Sequence, residues 1–167
     1  MSSAFFILTH FAIIAYALVG GVFLAFSDFI MRSLALTGGH GGVEAMQAIN
    51  REVFRWIFMA LFIGMAPLSL FIAIYGCIWI DGVPGTLMVL AGLFYVFGCF
   101  GVTIGFNVPM NEALAGLDVH LDATRDYWSE TYVPRWTFWN SVRTAASILS
   151  AGLLLFAVVW RGQMGWL

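Results

Sequence analysis

Lysine is absent from this 167-residue chain, and charge of either sign is scarce. Charged residues make up 10% of it, where soluble domains average about 25%. The seven cations, all arginines, stand against nine acids, a net charge of −2. Seven scattered arginines form no basic face for phosphates, so a nucleic-acid binder is excluded. Disorder is excluded too, because it requires low hydrophobicity and high net charge. The two cysteines, Cys77 and Cys99, fall at different depths of successive apolar runs, so a disulfide is not expected. There is no HExxH, CxxC or GxSxG pattern, no phosphate-binding glycine loop and no Cys/His metal spacing. The three histidines occupy unrelated contexts, which disfavours axial haem ligation, and no cofactor or metal is expected. His10 reads as a lone hydrogen-bonded histidine near the start of the first apolar run. His40 lies in a glycine-rich connection that could fold over a site.

What the chain has is hydrophobic residues, 62% of the total. Four runs approach or exceed the roughly 20 residues that cross a bilayer. They extend from about Phe5 to Met31, Val53 to Ile80, Gly85 to Asn107 (continuing to about Ala115) and Arg135 to Trp160. In lipid the backbone must satisfy its own hydrogen bonds, and the runs lack barrel-strand alternation, so all four should be helices. The reading is an all-α membrane protein, one domain over 1–167, folded as an antiparallel up-down bundle of four transmembrane helices. A tight turn at Asp81–Pro84 joins the middle pair. The longer connections cover about Ser33–Val43, rich in glycine, and about Gly116–Pro134. There Asp122 could cap a short helix, and Pro134 suits the first turn of the fourth span. Counting arginines near span ends puts both long connections in the cytoplasm, for a bacterial chain beneath the plasma (inner) membrane. Most tryptophans read as interface anchors, and Gly101-x-x-x-Gly105 and Gly21-x-x-x-Ala25 as close-packing patterns.

The polar residues converge at one end of this bundle. Asp28 and Arg32 end the first span, and the second begins at Gln47, Asn50, Arg51 and Arg55. Asn107, Asn111 and Glu112 end the third, and Trp136, Asn140 and Arg143 open the fourth. At helical spacing Trp136, Asn140 and Arg143 fall within an arc of about 60°. Arg143 lies about 12 Å inside its span, so it should face the interior and needs a partner, for which Asp28 and Glu112 are the available carboxylates. An intramembrane ionisable cluster reads first as a site. The alternative is a hydrogen-bonded network that only fixes helix register.

The stretches Gly20–Phe26, Met46–Asn50, Asn107-Val-Pro-Met-Asn-Glu-Ala-Leu114 and Trp136-Thr-Phe-Trp-Asn-Ser-Val-Arg143 resemble the anthrone oxygenase-like family of small four-span membrane proteins. The resemblance implies Asn50, Asn107, Asn111, Trp136, Asn140 and Arg143 as motif positions. Some fungal members oxidise anthrones to anthraquinones without a cofactor. On that model Asp28 or Glu112 is the base, Arg143, Asn140 and Asn107 hold the oxyanion, and Trp136, Asn50, Asn111 and Gln47 bind the substrate. The expected partner is an apolar small molecule or lipid, with oligomeric state left open. The competing reading is a non-enzymatic small-molecule or lipid binder or a helper subunit. A small exporter ranks lower, because Asp28 is not at the membrane midplane.

Overall fold

The computed structural model describes residues 3–55 and 57–164. Four helices are long and apolar enough to cross a membrane: α1 (Ser3–Ala35), α3 (Ile57–Trp79), α4 (Gly82–Ala115) and α5 (Asp122–Gln163). A shorter helix, α2 (Gly41–Glu52), lies between the first two. Contacting pairs show how the bundle runs. Phe5, Tyr16 and Phe23 of α1 meet Tyr75, Ser69 and Phe58 of α3. Cys99, Thr103 and Asn111 of α4 meet Ser147, Arg143 and Tyr132 of α5. In both series one number rises as the other falls, so these neighbours are antiparallel.

Helix length positions the site. A hydrocarbon core of about 30 Å takes about 20 residues. α3, with 23, fits it, whereas α1, α4 and α5 have 33, 34 and 42 residues. α1 and α4 at their C-terminal ends, and α5 at its N-terminal end, continue past the bilayer on one side. There they pack with α2 into a second core of Met31, Val43, Met46, Leu114, Trp128, Tyr132 and Trp136. The first core lies among the spans around Tyr16, Phe62, Met88, Tyr95 and Leu154. The expected polar cluster falls where the two meet.

Several expectations are corrected. Gln47 and Asn50 do not belong to the second span. They sit on α2, whose Val43 and Met46 are buried while Glu44, Arg51 and Glu52 are exposed, an amphipathic pattern that supports a separate helix. A 3-10 turn at Val53–Arg55 follows it. The connection after Gly116 is mostly helix. The expected short helix is present at Asp122–Asp126, but Leu121 is its N-cap and Asp122 its first residue. Pro134 falls, as expected, in the first turn of the α-helical segment Val133–Met164, which continues α5 after a π stretch. Proline removes one helical hydrogen bond and crowds the carbonyl four residues back. Here Pro134 and Pro109 each closely follow a widened π stretch, Tyr127–Tyr132 and Thr103–Asn107, where that crowding is relieved. Trp128 and Trp136 are buried rather than interface anchors, while Trp79 and Trp160 are exposed as anchors should be. Trp166 lies outside the described residues. A Cβ on Gly21 or Gly105 would meet nothing within 4 Å among the described residues, so neither glycine marks a close helix approach within this chain. Close approach falls to other glycines: a Cβ on Gly92 would stand 2.3 Å from the Ser69 carbonyl oxygen, and one on Gly98 would stand 2.7 Å from the Ala146 Cβ. Both cysteines are free, Cys99 buried and Cys77 exposed.

Candidate functional site

Arg143 is 5% exposed and, among the described residues, faces no carboxylate. Among the described residues the ion pair seen is Glu52–Arg55, on the surface. The expected carboxylate partners are absent because Asp28 and Glu112 are exposed. Arg143 instead donates through Nη2 to Asn140 Oδ1 at 2.5 Å and through Nη1 to Thr103 Oγ1 at 3.3 Å. Its guanidinium carbon lies 4.1 Å from the centre of the Phe23 ring and 5.2 Å from that of Trp136. Nε is buried and has no acceptor. Ring faces and neutral oxygens stabilise a cation less than a carboxylate does, so this charge is only partly compensated.

Asn140 holds the arginine in place. Its Nδ2 donates to the Phe23 carbonyl and to Ser27 Oγ, both at 2.6 Å. A carbonyl can only accept and a guanidinium can only donate, so both ends fix the same amide orientation. The same logic applies to Asn111. Trp136 Nε1 can only donate, and it meets Asn111 Oδ1 at 2.7 Å, where Tyr132 Oη also donates at 2.8 Å. Asn111 Nδ2 is thereby turned away from both rings, on a side chain that lines the cavity beside Arg143. Asn50 Nδ2 reaches Tyr132 Oη at 3.4 Å, a long contact that ties α2 to the network. Asn107 is fully buried and donates to the Trp136 carbonyl at 3.3 Å, leaving its Oδ1 without a partner.

A cavity of about 90 Å3 opens beside Arg143. Its wall takes Phe23 and Phe26 from α1, Met46, Ile49 and Asn50 from α2, Phe58 and Phe62 from α3, Thr103 and Asn111 from α4, and Trp136 from α5. Four of the nine expected site residues line it: Arg143, Trp136, Asn111 and Asn50. Asn140 and Asn107 stand behind the wall. Gln47 is elsewhere, donating to the Leu114 and Leu117 carbonyls at 2.9 and 3.1 Å, where it satisfies the end of α4. Asp28 and Glu112 do not reach the cavity. His40 packs edge-on against His120 in the opposite connection, away from the wall, and His10 bonds the Phe6 carbonyl.

Sequence reasoning missed Thr103 and Tyr132. Tyr132 was detectable: Trp128, Tyr132 and Trp136 recur every four residues and stack on one face of α5. Changing Asn111 to leucine is expected to destabilise the protein by about 1–3 kcal/mol, because the Trp136 and Tyr132 donors lose their acceptor. Thermal unfolding in detergent checks this. An unchanged midpoint would mean water replaces the amide.

Fold and site together define a four-span membrane protein with a partly compensated cation beside an aromatic cavity. A model of the anthrone oxygenase family matches residues 51–153, well over half the chain, and the chain belongs to that family. The matched region holds Asn107, Asn111, Trp136, Asn140 and Arg143, while α1 and α2 lie before it or at its edge. No curated protein and no solved structure matches.

Proposed function

We propose that the protein is a cofactor-independent oxygenase acting on an apolar aromatic or polyketide-like compound. The observation that carries this reading is Arg143, a buried guanidinium without a carboxylate, set in a wall of aromatic rings. A flat carbon acid fits both parts. Loss of a proton from the methylene group of an anthrone leaves a delocalised anion whose charge rests largely on the ring oxygen. Arg143 holds that oxygen, with Asn140 fixing the guanidinium and Trp136 lying against the ring. The anion reduces dioxygen, forming a carbon–oxygen bond and a peroxide. Uptake of one proton and loss of water, with cleavage of the O–O bond and of the remaining C–H bond, leave the quinone. The sum is anthrone plus dioxygen to anthraquinone plus water.

The test is oxygen uptake and quinone formation by purified protein with an anthrone, set against the protein-free rate. Uptake at the protein-free rate overturns the oxygenase reading for that compound. It would favour a non-enzymatic binder or helper subunit, a reading supported by the small cavity and by the closure of Arg143 onto Asn140.

The proposal also places the long connections, and with them the site, on the cytoplasmic face of the plasma (inner) membrane of a bacterial cell, supported by the arginines gathered at that end. In a Cys77→Ser background, Asp118→Cys is expected to resist a membrane-impermeant maleimide in intact cells and to react after lysis. Labelling of intact cells would reverse the orientation.

A further inference from the structure

Among the described residues, no aspartate, glutamate or histidine lines the cavity beside Arg143. Each packed element bears this out. α1 presents Phe23 and Ser27 to the Arg143–Asn140 pair, and its Asp28 is exposed. α2 presents Asn50, while its Glu44 and Glu52 are exposed. α3 supplies apolar side chains such as Phe58 and Phe62. Two ionisable groups are buried in the surrounding helices, the Cys99 thiol on α4, bonded to Ser147 one turn beyond Arg143, and the Tyr132 phenol on α5, bonded to Asn111. Neither lines the cavity. The Tyr132 proton is donated to Asn111, and Cys99 Sγ accepts from Ser147 Oγ. The wall therefore offers a fixed cation, an amide donor on Asn111 and aromatic faces, but no group to take a proton.

We infer that the cavity takes its ligand as a preformed, charge-delocalised organic anion, a phenolate, naphtholate or enolate whose proton has already gone to water. The inference rests on the proposed function for the flat aromatic body of the ligand, and it adds the ionisation state and the absence of a protein base. A neutral acid would leave Arg143 uncompensated and would have nothing to ionise it. A carboxylate or phosphate would pair with Arg143, but its localised charge costs more to strip of water in an apolar wall. A delocalised anion costs less to desolvate, and its ring can lie against Trp136 and the phenylalanines. The arginine keeps its own charge throughout, so the titrating partner is the ligand.

The test uses protein in nanodiscs of zwitterionic lipid, under nitrogen. Binding of a series of chloro- and nitro-substituted naphthols and phenols, chosen so that their own pKa values spread between about 6 and about 8, is measured by equilibrium dialysis from about pH 5 to about pH 9. Protein-free nanodiscs correct for partition into lipid. Affinity is expected to fall about tenfold for each pH unit below the ligand's own pKa and to level off above it. The midpoint should therefore move with the ligand. Arg143→Met should abolish the preference for the anion and Arg143→Lys should keep it in weaker form. If Arg143→Met does not fold, the shift of midpoint between ligands on the unaltered protein still decides. A midpoint common to all ligands, tighter binding of the neutral form, or no binding overturns the inference. Oxygen uptake is read separately. Anion binding without faster uptake keeps this inference and defeats the oxygenase reading. Faster uptake with a midpoint set by the protein does the reverse.

Discussion

Arg143→Met is expected to slow anthrone-dependent oxygen uptake by about 100- to 1,000-fold while leaving the melting temperature unchanged or slightly raised. The two halves of this result come from the same fact. Removing one preorganised donor from a developing oxyanion typically costs about 100- to 1,000-fold in rate. A buried charge without a counter-ion contributes nothing comparable to stability, and replacing buried charges by apolar groups of similar volume is often neutral or stabilising. Methionine fills much of the space between Phe23 and Trp136, so little cavity is created, and only Asn140 Oδ1 and Thr103 Oγ1 lose a donor. Arg143→Lys should fall between, because an ammonium keeps the charge but not the planar group that lies over the Phe23 ring. Oxygen uptake and thermal unfolding on the same preparations separate the cases. A large drop in melting temperature would mean that Arg143 serves as packing glue. Full activity in Arg143→Met would remove it from the chemistry.

The sequence disclosed the spans through length and hydropathy, since the polar residues inside them are few and mostly uncharged. The convergence of polar groups at one end was equally open, because helical spacing and alternating direction place Asn107, Asn140 and Arg143 together. Three features were not readable, each for its own reason. α2 was hidden because its polar residues run into the apolar start of α3, so Gln47 and Asn50 looked like the mouth of a span. The roles within the asparagine set depend on which way each amide turns, and only the donors and acceptors around it decide that. Arg143 was expected to find a carboxylate because a buried charge needs compensation. Depth along the axis places Asp28 and Glu112 near it, but the angle around each helix sends both outward.

Gly42→Ala is expected to weaken ligand binding at least tenfold, although Gly42 touches no ligand and lies outside the family match. A Cβ at this position would stand 2.3 Å from the Leu34 carbonyl oxygen and 3.3 Å from Trp128 Cζ2. Backbone at the end of α1 cannot turn aside as a flexible side chain can, so α2 must move instead. With it go Met46, Ile49 and Asn50 from the cavity wall, and the bonds from Gln47 to the end of α4. Overpacking of this kind costs about 1–3 kcal/mol. The neighbouring glycines supply the controls. Gly38→Ala faces open space and should be neutral, whereas Gly41→Ala meets only the Thr37 side chain at 2.8 Å and should be mild. Hydrogen exchange over residues 41–52 should rise in Gly42→Ala and stay near wild type in the other two. If the three variants bind alike, α2 is not a wall of the site, and Asn50 and Met46 lose their place in it. If only Gly42→Ala fails while exchange in the four spans is unchanged, the site depends on how closely this short helix seats on α1.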